Sequence, residues 1–113
     1  MMLRVAITRA EPEASRTAAR VRARGAEAIV APLIAIVPCG YDTNTEGAQA
    51  IIFTSTNGVR AFPDARGARD RLVLTVGDAT AEAAREAGFN DVRSADGDVN
   101  ALVALAKREL DPA

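Results

Sequence analysis

The feature that most restricts this chain is an alternation. Short runs rich in branched and aromatic residues are separated by Ala-rich stretches with helical periodicity. Strands and helices that alternate in this way build βαβ units around a parallel sheet, because parallel neighbours need a long crossover and the crossover needs a sheet face to cover. The expected order begins with a strand "LRVAIT" (3–8), a helix "EPEASRTAARVRAR" (11–24) and a strand from 26 to near Ala31. It continues with a strand "QAIIFTS" (49–55), a helix from about Asn57, a strand "RLVLTV" (71–76) and a helix "DATAEAAREAG" (78–88). A short strand "DVRSA" (91–95) and a helix "VNALVALAKREL" (99–110) complete it, so the fold class is α/β.

Local signals fix several boundaries. Pro12 suits a helix-opening position, acids follow in the first turn, Arg16, Arg20 and Arg24 recur on one face, and Gly25 stops the first helix. Pro32 cannot donate to a ladder, so the second strand should give way there to an extended connector. The polar stretch "CGYDTNTEG" (39–47) reads as a loop.

Composition enters through what it excludes. A chain of 113 residues with 49% hydrophobic content buries roughly two-thirds of its unfolded surface, enough for a core without metal or disulfide staples. Fourteen basic side chains against fifteen acidic ones leave a net charge of −1, so no global basic field gathers nucleic acid or an anionic membrane surface. The apolar run in "MMLRVAITRAEP" is far shorter than a signal h-region and meets charge at once, and no run of about 18 apolar residues occurs, so the expected location is the cytoplasm.

Cys39 is the only cysteine, and its neighbours "VPCGY" hold no Lys, Arg or His to stabilise a thiolate, so it reads as a reduced, unreactive thiol. There is no histidine, which removes His-based triads and HExxH zinc sites. No metal and no cofactor is expected. The available chemistry is that of carboxylates, hydroxyls, Tyr41, arginines and backbone N–H groups.

Two junctions share a design. In "FTSTNG" and "LTVGDAT" a buried strand ends in small and hydroxyl residues, places Ser, Thr or Asp where a helix N-cap belongs, and includes a Gly that should let backbone N–H groups face outward. Helix capping alone accounts for either segment. Together with "AITR" at the end of the first strand, they point to anion sites at the carboxyl edge of a sheet, where ligands of open α/β folds gather. Neither is a nucleotide motif, since "STNGVR" lacks the G-K-[ST] of a P-loop and "VGDATAE" lacks repeated glycines. A phosphoacceptor receiver would need acids where "TRAE" and "TSTNG" stand.

Three segments in order, "VAITRAEPEASRTAARVRARGAEAIVAPLIAI", "AQAIIFTSTNGVRAF" and "LTVGDATAEAAREAGF", resemble the uroporphyrinogen-III synthases of tetrapyrrole and haem biosynthesis, from Val5 to roughly Leu110. The resemblance implies a flavodoxin-like parallel sheet with helices on both faces. It also implies a cofactor-free lyase that closes linear hydroxymethylbilane into uroporphyrinogen III, losing water and inverting the last ring. That substrate carries carboxylates on every ring, the ligand type that helix N-termini hold.

Matched residue by residue, the family's substrate contacts fall on Thr8 and Arg9 after the first strand, on Ser55, Thr56 and Asn57 after the third, and on Gly77, Asp78 and Thr80 after the fourth. Arg9 is the candidate for a charge-assisted carboxylate contact, against a surface pairing with Glu11 or Glu13. Arg60, about a turn inside its helix, suits a solvated face. Asp78 would repel a ligand carboxylate and is expected to cap its own helix through the N–H of Thr80 or Ala81. Ala10 stands where the family usually has Pro. No catalytic acid or base is assigned, and Tyr41 is given no such role.

The family's chains are longer, with two lobes joined by a connector and the cleft between them. The resemblance therefore divides this chain into 1–36 in one lobe, a connector over 37–47, and 48–113 in the other lobe. It implies weak turnover by these residues alone, completed by a complementary C-terminal half or a swapped homodimer. The alternatives are one five-stranded flavodoxin-like domain over 1–113 with strand order 2-1-3-4-5, and a non-catalytic module that binds anions or tetrapyrroles.

Overall fold

A computed structural model describes residues 2–38, 46–62 and 67–112. Cys39 and Tyr41 lie outside the described residues. The chain divides into two compact units, Met1–Val37 and Pro38–Ala113.

The first unit is a βαβ motif. Strand β1 (Arg4–Ile7) and strand β2 (Glu27–Val30) pair in parallel, Arg4 opposite Glu27 and Ile7 opposite Val30, with helix α1 (Glu13–Ala23) between them in sequence. Small residues let α1 approach closely: Ala14 and Ala18 are completely buried against Ile7, with Val5, Val21, Ala28 and Val30 packed around them. The carboxylate of Glu11 accepts from Ser15 N at 2.7 Å and from Ser15 Oγ at 2.5 Å, binding the first turn of α1 to the residues before it. At the other end Gly25 takes φ +88° and donates to Arg22 O, while Ala26 donates to Val21 O. This pair of bonds is a Schellman closure, which requires the left-handed backbone that glycine adopts without strain. β2 ends one residue before Ala31, whose N–H still reaches Ile7 O at 2.9 Å.

The second unit is three-layered. Strands β3 (Ala50–Phe53), β4 (Leu72–Thr75) and β5 (Asp91–Ser94) form a parallel sheet in the order β3-β4-β5. Helices α2 (Thr56–Ala61), α3 (Asp78–Glu86) and α4 (Val99–Glu109) follow the strands in turn. The central strand shows why "LVLT" is continuous in apolar character: Val73, Leu74 and Thr75 are fully buried, because both faces of a parallel sheet are covered. Val73 packs with Phe53, Val59, Ala68, Ala84 and Phe89 on the side of α2 and α3. Leu74 packs with Leu102 and Leu105 of α4 on the opposite side. Phe53, Phe62 and Phe89 meet edge to face with centroids 5.6–6.0 Å apart, the arrangement favoured by their ring quadrupoles.

The ends of this unit are fastened by polar contacts. Gln49 and Asp111 exchange two hydrogen bonds, Nε2 to Asp111 O at 2.9 Å and Asp111 N to Oε1 at 2.7 Å, and Arg71 donates to Ala48 O at 2.8 Å. Arg93 on β5 is paired with Glu109 of α4 and with Asp91, and its guanidinium is held even more firmly protonated, chiefly by the hydrogen bond to Glu109.

The protein is α/β, with parallel sheets and helices, in keeping with a flavodoxin-like fold. The described strands form two sheets, β1-β2 and β3-β4-β5. Alternating sequence sets each βα unit but leaves edge-to-edge pairing open. Among the described residues no helix is long and apolar enough to cross a membrane.

Candidate functional site

At the carboxyl end of β1, Thr8 and Arg9 are exposed. Thr8 O accepts from Leu33 N at 3.1 Å, so its backbone is fixed while the hydroxyl side faces solvent. Arg9 pairs neither with Glu11 nor with Glu13: its Nη1 donates to Thr17 Oγ1 at 3.0 Å on α1, and Glu11 is engaged by Ser15. Among the described residues this neutral hydroxyl is its bonded partner, and it holds the guanidinium beside the strand end. Ala10, in place of the family's Pro, is buried and accepts from Ala14 N at 3.1 Å.

In the second unit the register places the other candidate residues along one edge. Phe53 lies opposite Thr75, so the segments leaving β3 and β4 emerge side by side at the carboxyl end of the sheet. Ser55 is the N-cap of α2, in extended conformation, and its Oγ accepts from Gly58 N at 3.3 Å. Thr56 and Asn57 follow as the first half-buried residues of the helix. The helix is only six residues long, so its dipole is small, and Ser55 already occupies one of its amide donors.

α3 is different. Its N-cap is Gly77, with no side-chain hydrogen bond to the first turn. Asp78 does not cap the helix as its position suggested. It is the first helical residue and is exposed, one position too late for its side chain to reach back over the first amides as an N-cap does. A carboxylate in the first turn still favours the helix through the dipole. Thr80, 7% exposed, is packed into the first turn.

The glycines of the two junctions differ from each other in the space around them. Neither Gly58 nor Gly77 has positive φ. A Cβ at Gly58 would make ordinary contact with Phe53 Cδ1 at 3.6 Å and Ser55 Oγ at 3.8 Å, whereas a Cβ at Gly77 would meet nothing within 4 Å. Gly77 thus leaves open space at the start of an uncapped helix, which is where a ligand carboxylate would approach amide donors. Thr75, which the sequence marks only as a strand residue, secures this turn: buried completely, its Oγ1 donates to Gly77 O at 3.0 Å. A hydroxyl closing a strand two residues before the N-cap was the available signal.

α4 offers no comparable opening, because Asp98 caps it by accepting Ala101 N at 3.0 Å and Ser94 Oγ holds Asp96 N at 3.0 Å. Arg60 is exposed on the last turn of α2. No group of three or more His, Cys, Asp or Glu able to hold a metal ion occurs among the described residues.

The strand ends thus present an arginine bonded to a hydroxyl after β1 in one unit, and two neighbouring strand-to-helix turns in the other. A comparison with curated proteins finds no match. The family model described as uroporphyrinogen-III synthase HemD matches residues 15–112, most of the chain. With that match and the parallel α/β units it spans, the chain belongs to the uroporphyrinogen-III synthase family.

Proposed function

We propose that this chain contributes substrate-holding strand ends to a uroporphyrinogen-III synthase, a lyase that converts hydroxymethylbilane to uroporphyrinogen III with ring inversion and loss of water. The observation that carries the reading is the open turn at Gly77, where an uncapped helix N-terminus stands beside the Ser55 turn on one sheet edge. Amide donors there suit the acetate and propionate carboxylates of a tetrapyrrole, and Arg9 adds a charged donor. Thr56 and Asn57 open α2 on that same edge, Thr80 is packed into the first turn of α3, and Thr8 is the first unit's further candidate contact beside Arg9. The role assigned to these residues is binding and orientation of a polycarboxylate, with no residue of this chain given the part of catalytic acid or base.

The test is a coupled assay on the purified 113-residue protein that separates uroporphyrinogen III from the I isomer formed spontaneously. The expected result is tight retention of substrate with formation of the III isomer hardly above background. Vigorous III production would show that the chain needs nothing further. Failure to bind hydroxymethylbilane would remove the assignment of these strand ends.

A further inference from the structure

The turns that follow β4 and β5 are bonded to each other. Ala95 donates to Thr75 O at 2.8 Å and Gly97 donates to Val76 O at 3.1 Å, so the chain leaving β5 is fastened on both sides of Asp96 to the residues that lead into Gly77. Asp96 itself takes φ +49°, the left-handed backbone that Asp and Asn tolerate better than most residues, and its N–H is held by Ser94 Oγ at 3.0 Å. A Cβ at Gly97 would stand 2.9 Å from Ala101 Cβ, so the loop lies tightly against the first turn of α4. Of the two aspartates here, Asp98 is spent on Ala101 N as the cap of α4, while the carboxylate of the exposed Asp96 takes part in none of these bonds.

We infer that Asp96 accepts hydrogen bonds from the pyrrole N–H groups of the tetrapyrrole whose carboxylates the Gly77 turn holds. This role rests on the functional reading above and gives the other half of the same ligand a partner. Amide donors alone suit any polycarboxylate, and a carboxylate fixed beside them works against such a ligand, because like charges in one site repel. The same carboxylate becomes favourable when the ligand brings N–H donors together with its acids. A linear tetrapyrrole does so, since each ring bears its acetate and propionate on the carbons remote from nitrogen and an N–H on the opposite side.

Asp78 is the other exposed acid at this edge, but it belongs to the first turn of α3, where the helix dipole favours it whether or not a ligand binds. Asp96 lies outside any helix, between the strand and the cap of α4. Its backbone is one that glycine would adopt without strain, and its carboxylate secures neither the loop nor the cap through the bonds described. To a ligand with N–H groups, the same carboxylate offers a charge-assisted acceptor next to the α3 amides.

Calorimetric titration of the 113-residue chain with two probes tests this role: uroporphyrinogen, kept reduced, which carries an N–H on every ring, and benzenehexacarboxylate, which carries carboxylates and no N–H. Asp96→Asn keeps a residue type that tolerates the left-handed backbone and removes the charge. The two affinities should move in opposite directions. Uroporphyrinogen should bind about tenfold or more weakly than to the parent, and benzenehexacarboxylate about twofold to fivefold more tightly at low salt. Asp96→Gly should give the same pair of shifts, and it decides alone if the Asn variant does not keep the parent's circular dichroism. In a folded variant, uroporphyrinogen bound as before, or hexacarboxylate bound no better, would overturn the role of Asp96 and leave the reading of the Gly77 turn standing. A parent chain that binds the hexacarboxylate and not uroporphyrinogen would overturn it as well. A parent chain that binds neither probe would remove the functional reading and the role of Asp96 with it.

Discussion

Replacing Gly77 with Ser separates stability from binding at the turn on which the functional reading rests. The backbone at Gly77 is extended, φ −138° and ψ 176°, so any residue fits it. The added Cβ meets nothing within 4 Å, and a serine at an N-cap improves on glycine by a few tenths of a kcal/mol, about 0.3. For a unit of this size that raises Tm on the order of 1–2 °C. The same hydroxyl fills the space in front of the α3 amides and takes one of them as a capping partner. A ligand carboxylate that used this amide would lose a charge-assisted hydrogen bond of about 1.5–3 kcal/mol, which is roughly 10–150-fold in Kd. Thermal unfolding by circular dichroism and calorimetric titration with a uroporphyrinogen polycarboxylate read the two effects on one protein. A variant that gains stability yet binds as tightly as the parent would refute the assignment of α3 as an anion-holding helix.

Ser55→Ala should cost about 0.5–1 kcal/mol in urea unfolding, the lower part of the range for a lost N-cap, since the Oγ to Gly58 N distance is a long 3.3 Å. Gly88→Ala should destabilise by more than about 1 kcal/mol, because Gly88 sits at φ +104° in the closure of α3 and an added Cβ would stand 3.2 Å from Arg69 Nε. Leu74→Ala, at a completely buried position against Leu102 and Leu105, should cost about 2–5 kcal/mol, and an unfolding midpoint equal to the parent's would contradict the packing described. Chelators should leave Tm unchanged, since a chain without histidine has little with which to build a structural metal site; stoichiometric zinc by elemental analysis would contradict this.

The sequence by itself determined every βα unit of this protein. Apolar runs of strand length, Ala-rich helical periods and their punctuation carried the signal, and that punctuation acts within a few residues: Gly25 ends α1 and Ser55 caps α2 as read from the chain alone. Local chemistry also indicated which strand ends could face an anion. What only the tertiary structure decided lies at longer range or at finer offset. The pairing of β1 with β2 and the order β3-β4-β5 depend on edges that meet within each unit, and short strands of similar composition do not encode their neighbours. Asp78 and Gly77 differ by one position, yet that offset separates a self-capped helix from an open one, and it is set by where Thr75 fixes the chain as it leaves β4. Arg9 found Thr17 instead of an acid because the turn after β1 brings the guanidinium over α1 while Glu11 is held by Ser15. A sequence records which groups are available; which of them remain free for a ligand depends on the partners that folding has already given the rest.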